Sequence, residues 1–422
     1  MNRKRRMRVG RFTAVLLLIA TGALLFGDAL HGTDHLLLLL KWWPLIIVLW
    51  GLEYIILHLI SRHAKGAGRR FQLDLRGVML AAVLSTSVFI VAEQKHYLHL
   101  WNKVSLNLAA AGVDYSEAEG NSVGKDLLAV PVTLKTQNVN VENINGDIIV
   151  QRGPVADIGV QAEIWVDQIT GPEAEAIGRE SSLDVSGDST ITIQTKGKAY
   201  GQSGKRQPRM NLTITLPEDR RFDLSLRTMN GSIRLQHVEA IKQISMETAS
   251  GDLYLNQVTG NVKGSTLNGK ANAYHVLGSV DLSTNQGSMQ VVDVSDAVTL
   301  TTQVGNLSVR KSLGAIDVRT KNGNIDVDGI RSGLKAESLN GGITARSGVV
   351  GGDWDIYSAV GELTLALPEA GSYEIDGSIS YGDIHNQFPE FTVDKKNITG
   401  TIGLGEHKVH IEGNSDLSVN KY

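Results

Sequence analysis

In this 422-residue chain the carboxylates best placed to act as an acid–base pair are Asp281 and Asp317, with Asp326 and Asp328 close by. Glycan-cleaving sites need carboxylates gathered on neighbouring elements, either as paired acid and base or around calcium. Asp281 and Asp317 stand two units apart in an eighteen-residue repeat. If the units stack as β-strands, that is about 9–10 Å. Their column reads Ser225, Ser245, Lys263, Asp281, Thr299, Asp317, Lys335, Asp355, Asp376. Dispersed charges of alternating sign are the pattern of a solvated face. Asp326 and Asp328 share the outer face of one strand and have no histidine near them in sequence. The histidines show no HExxH or comparable metal spacing. His407 and His410, three residues apart, fall on opposite faces of a strand. There is no P-loop, and no glycine-rich calcium nonapeptide. No catalytic residue, metal site or cofactor is assigned.

Binding chemistry is more visible than catalysis. The stretch 196–209 carries Lys196, Lys198, Lys205, Arg206 and Arg209 among glycines. Such a mobile basic loop suits an anionic wall polymer or lipid headgroups, or it is a solvated hairpin tip. Glu53, inside an apolar run, is a candidate intramembrane functional residue, or a helix-paired carboxylate. The net charge is −3, so no overall basic character points to nucleic acid. Cysteine is absent, which removes disulfides, thiolate metal sites and cysteine nucleophiles together.

These residues are positioned by a repeat. Corner glycines fall at Gly231, Gly251, Gly269, Gly287, Gly305, Gly323, Gly341 and Gly361, eighteen residues apart from Gly251 to Gly341. Seven and five residues before each glycine the chain is mostly apolar, and it is apolar again two and four after it. Three before it runs a hydroxyl column: Thr228, Thr248, Thr266, Thr284, Thr302, Thr320, Ser338, Ser358. Period two on both sides of a glycine means two short strands joined at a corner. A second corner follows nine residues on, at Gly260, Gly278, Asp296 and Gly314. Stacked about 4.8 Å apart, the units place like on like, with the threonines inward and bonding along the stack. A fixed period of this length predicts an all-β parallel β-solenoid of about eighteen residues per coil, since propeller blades run to about forty.

The solenoid is expected over 131–422, with an insertion at 152–209 and a C-terminal cap at 384–422. Before it come a linker, 96–130, and a membrane region, 1–95. There, apolar runs predict three transmembrane helices at about 12–30, 36–60 and 77–93. Positive charges before the first run and between the second and third place the N-terminus inside and the solenoid outside. Motifs in 8–60, including Lys41-Trp42-Trp43-Pro44 and Trp50-Gly51-Leu52-Glu53, resemble the transmembrane region of Lia-type envelope-stress proteins of Gram-positive bacteria. That resemblance implies a multi-pass bacterial cytoplasmic membrane protein near a two-component stress system. The turns Asn145–Ile148, Ser250–Leu253 and Asn322–Ile325 resemble an adhesin-type β-solenoid family of bacterial envelope proteins. The expected function is a non-enzymatic, membrane-anchored sensor, regulator or scaffold, with the lipid bilayer and a membrane protein of a stress system or an anionic wall polymer as partners. An adhesin or wall-polymer binder is the alternative, and a carbohydrate-active enzyme ranks last.

Overall fold

The computed structural model describes residues 8–9, 53, 72–73 and 114–422. The chain forms two compact units, Met1–Leu108 and Ala109–Tyr422. In the first, Arg8–Val9 and Gln72–Leu73 pair as short parallel strands, and Glu53 is helical and buried.

The expectation of three transmembrane helices is corrected here. Among the described residues no helix is long and apolar enough to cross a membrane. The helix Pro172–Glu180 has nine residues, a length of about 14 Å against a hydrocarbon core of about 30 Å. The segments 12–30, 36–60 and 77–93 lie outside the described residues. The fold is all-β and mostly parallel, and the multi-pass membrane localisation is not carried forward with it.

In the second unit the repeat builds two stacks of strands that share one core. One stack holds the strands that lead into the glycine corners, such as Val280–Gln286, Val298–Val304 and Ile316–Asn322. The other holds the strands that leave them, such as Met289–Val294, Leu307–Ser312 and Ile325–Ile330. Every ladder between these coils is parallel and pairs equivalent residues: Val280 with Val298, Val298 with Ile316, Met289 with Leu307. Burial alternates along each strand, so one face is core and the other is open to solvent. The coil from Gly231 to Gly251 is two residues longer, and the surplus is absorbed as a register shift between Glu239 and Gln243.

The corner needs glycine for a reason of space. A Cβ on Gly287 would lie 1.9 Å from the carbonyl oxygen of Gly269. The same contact recurs at Gly305 against Gly287 and at Gly341 against Gly323. A positive φ of 150° at Gly287 adds a second requirement. The close approach brings each corner carbonyl under the hydroxyl column. Thr248 donates to Gly231 O at 2.8 Å, Thr266 to Gly251 O at 2.9 Å and Thr320 to Gly305 O at 3.1 Å. The column is vertically aligned in the ladders and buried throughout. The hydroxyls bond to the corner below rather than to one another, which satisfies the buried polar atoms on both sides.

Both ends of the rod are laid down out of chain order. Strand His407–Gly413 sits between Trp354–Ser358 and Tyr373–Ile379, and Leu417–Lys421 sits between Leu363–Leu367 and Ile384–Asn386. At the other end Asn138–Asn145 lies between Thr190–Lys196 and Asp223–Asn230. The partner strand Ile148–Gly153 lies between Arg209–Pro217 and Ile233–Ser250. The first and last coils in sequence are therefore flanked on both sides. Antiparallel strands close the ends: Ser182–Ser186 and Ile158–Val166 at one, Phe391–Asp394 with Asn397–Ile402 at the other.

Candidate functional site

The strands that leave the corners do not run straight. Six residues after the corner glycine the backbone turns left-handed: His237 (φ 53°), Gln257 (54°), His275 (55°), Asp293 (61°), Lys311 (59°) and Gly329 (73°). Five successive coils thus hold a non-glycine residue in a conformation that costs about 1–2 kcal/mol. Gly329 shows that glycine fits the same place. The five side chains are exposed, so packing does not explain their retention. Histidine and aspartate are among the residues that tolerate this region best.

The bend raises two walls along the stack. One is the left-handed column, and the other is formed two residues later by Glu239, Thr259, Leu277, Ser295 and Leu313. Between them lie buried residues such as Val258 and Val276. The trough has a volume of about 600 Å³ and runs from Arg152 to Leu313. Leu277 and Leu313 stand 62% and 57% exposed on one wall, opposite the His237 and His275 imidazoles and the Asp293 carboxylate on the other. His275 Nδ1 and Asp293 Oδ2 are 2.9 Å apart across adjacent coils. At the other end Arg152 bonds Glu239 at 2.6 Å and Arg221 bonds it at 2.8 Å. Burial works against the Glu239 charge, but hydrogen bonds and charge from the two arginines outweigh it and hold the carboxyl below its ordinary range. An acid kept ionised cannot serve as a proton donor. Glu239 and Asp293 are three coils apart, about 14 Å, which is outside the separations that glycoside hydrolysis uses. The trough is open along the stack, with Leu277 and Leu313 among polar groups on one wall and polar side chains on the other.

The residues singled out from sequence are dispersed. Lys196 pairs with Asp184, Lys198 with Glu180, and Arg209 with Asp147. Arg206 is buried at 6% exposure and clamps Asp167 with two bonds of 2.7 and 2.6 Å, while also reaching Asp114. Tyr200 donates to the same carboxylate at 2.7 Å. Burial raises the Asp167 pKa, yet Arg206, Tyr200 and the Glu117 N–H together hold it well below the usual carboxylate range. Arg206 thus fastens the segment at 114–117 to the solenoid. Of the basic group, Lys196, Lys198 and Lys205 are exposed. Asp317 is bridged by Arg319, Asp326 by Arg346, and Thr299 separates Asp281 from Asp317 in the ladder. His410 lies 3.7 Å from both Asp376 and Glu412. Among the described residues no three His, Asp or Glu side chains are grouped to hold a metal. The left-handed column was missed from sequence, although its signal is present: a polar residue or glycine stands six places after each corner glycine from Gly231 to Gly323.

Comparison with solved structures returns matches of 11–13% identity. A Bacteroides fragilis candidate adhesin is 13% identical over 72% of this chain and 98% of its own, with a TM-score of 0.24. A candidate adhesin of Parabacteroides distasonis is 12% identical over 72% of this chain and 100% of its own, with a TM-score of 0.29. A candidate lipid-binding protein of the same organism is 11% identical over 73% of this chain and 100% of its own, with a TM-score of 0.26. Likeness at this level says nothing about ligand. No curated protein matches the chain. Residues 8–60, with their Lia-type resemblance, find no counterpart in these comparisons. Residues 162–419, which include the trough from His237 to Leu313, match the profile described as Toastrack DUF4097, and the chain belongs to the Toastrack DUF4097 family.

Proposed function

We propose that this protein is a non-catalytic binding protein of adhesin type, which lays an extended polymer of the cell wall along the trough of its solenoid. The observation that supports this reading is the left-handed column. His237, Gln257, His275, Asp293 and Lys311 are held in a costly conformation with their side chains in solvent. Backbone strain at exposed positions is a pointer to function. The trough's two carboxylates, Glu239 and Asp293, stand too far apart to share a glycosidic bond, and Glu239 is held ionised, which favours binding over cleavage. Binding along a row of like sites also gains avidity, because each segment of polymer raises the effective concentration of the next.

The test is co-sedimentation of the full chain with purified, insoluble bacterial wall polymer. Saturable retention that falls when Gln257 and His275 are both replaced by glycine supports the reading. Retention that is absent, or is indifferent to the double substitution, contradicts it.

A further inference from the structure

We propose that Tyr254 and Tyr274, on the outer face of the sheet that borders the trough, form a stacking platform for the rings of a neutral, polyhydroxylated glycan. This rests on the polymer-binding reading above and gives it a ligand class. The third and fifth residues after each corner glycine point outward on this face. Over three coils they read Tyr254 and Asn256, Asn272 and Tyr274, Gln290 and Val292. All six are half-buried, and none carries a charge at neutral pH. The ladder sets Tyr254 opposite Asn272 and Asn256 opposite Tyr274. The rings are therefore diagonal neighbours, with centroids 5.8 Å apart and planes inclined at 49°. Tyr274 Oη donates to Gln290 Oε1 at 3.0 Å. That bond orients the ring and leaves the glutamine N–H groups free to donate outward.

Farther along the same face the chemistry changes. Arg310, Asp326 and Arg346 are ion-paired among themselves, with Arg346 to Asp326 at 2.7 Å. With Asp328, opposite Arg310 in the ladder, the two arginines and two aspartates of that half balance, and the aromatic half beside it carries no charge at its six positions. A pyranose ring presents an apolar C–H face and a rim of hydroxyls. Tyrosine offers a flat apolar body with a polar tip, and side-chain amides both donate and accept. An anionic chain would need uncompensated cations; these six positions place none, and the cation beside them is the exposed Arg234 of the flanking coil, opposite Tyr254 in the ladder, so the anionic probe is part of the test. The platform also opens onto the trough, because Asn256 precedes Gln257, Tyr274 precedes His275 and Val292 precedes Asp293. A glycan in the trough meets the tyrosines at its side.

The test is calorimetric titration of the full chain with cellohexaose, mannohexaose and the hexamer of N-acetylglucosamine, and with a galacturonate hexamer as the anionic probe. The expected result is saturable binding of a neutral hexamer, weakened about tenfold by Tyr254→Ala or Tyr274→Ala and more by both. Tyr254→Phe keeps the ring and binds as the wild type does, and thermal melts of each variant check its folding. Binding confined to the galacturonate hexamer, or neutral binding unmoved by loss of both rings, overturns the platform. If the chain is retained on insoluble wall polymer but neither the neutral hexamers nor the tyrosine variants affect that retention, the platform falls and the polymer-binding reading stands. If there is no retention at all, both fall.

Discussion

Replacing Gly287 by alanine puts a methyl group 1.9 Å from the carbonyl oxygen of Gly269 and 2.6 Å from its carbon. Both are backbone atoms, so no side chain can swing aside. Relief requires the two coils to part locally. The corner bond from Gly269 N to Gln286 O, at 2.9 Å, and the Thr284 hydroxyl bond to Gly269 O are then displaced together. A residue with a side chain at this φ costs about 1–3 kcal/mol, overpacking about 1–3 kcal/mol, and each weakened bond about 1 kcal/mol. The expected destabilisation is about 4 kcal/mol or more, a fall in melting temperature on the order of 10 °C. In a stack of nearest-neighbour coils the damage is local. Hydrogen exchange should therefore quicken first in 262–268 and 280–286. Gly124→Ala is the control, since no atom lies within 4 Å of its added Cβ; it should leave the melt unchanged. A Gly287→Ala melt within about 2 °C of the wild type would refute the steric reason for the corner glycines.

Thr302→Val removes one donor and leaves the Gly287 carbonyl short of a partner, at a cost of about 1 kcal/mol; Thr302→Ser should recover most of it in urea melts. Arg206→Met leaves Asp167 buried without its cation, at about 3–5 kcal/mol, read as early proteolysis near 114–117. The Asp167 carboxyl is depressed in the fold, so its contribution is fully present above the unfolded value of about 3.9 and is lost as pH falls through the lower folded value. An acid titration of the wild type should show this loss, and Arg206→Met should remove most of it. Deleting 407–422 withdraws the strand between Trp354–Ser358 and Tyr373–Ile379 and the strand between Leu363–Leu367 and Ile384–Asn386. The edges this leaves should drive aggregation visible by light scattering, whereas a monodisperse truncated protein would show that the inserted coil is dispensable.

The solenoid was legible because its determinants are local and repeated. Corner glycines, the threonine column and the apolar positions each recur at a fixed offset, and each has the same physical job in every coil. The order of the coils in space was not legible. Nothing in 407–421 distinguishes a terminal coil from one inserted beside Trp354–Ser358, because parallel pairing of like residues is equally good at either place. The ion pairing of the basic loop was hidden for a different reason. Charge density is visible in sequence, but the partners Asp184, Glu180, Asp147 and Asp167 are distant in the chain, and they come to the basic residues only in the fold. The left-handed column was hidden because strand periodicity gives no sign of φ. Only the recurrence of His, Gln, Asp, Lys and Gly at one offset marks it.

Whether His237, Gln257, His275 and Asp293 are kept for their side chains rather than for the fold is decided by replacing all four with glycine and measuring stability and wall-polymer retention on the same preparation. Relief of the left-handed strain, offset by glycine's greater unfolded-state entropy, should leave the melt unchanged or raise it by up to about 1 kcal/mol per site, while retention is lost. A variant that melts well below the wild type, or that holds the polymer as tightly as before, would contradict the assignment of this column to binding.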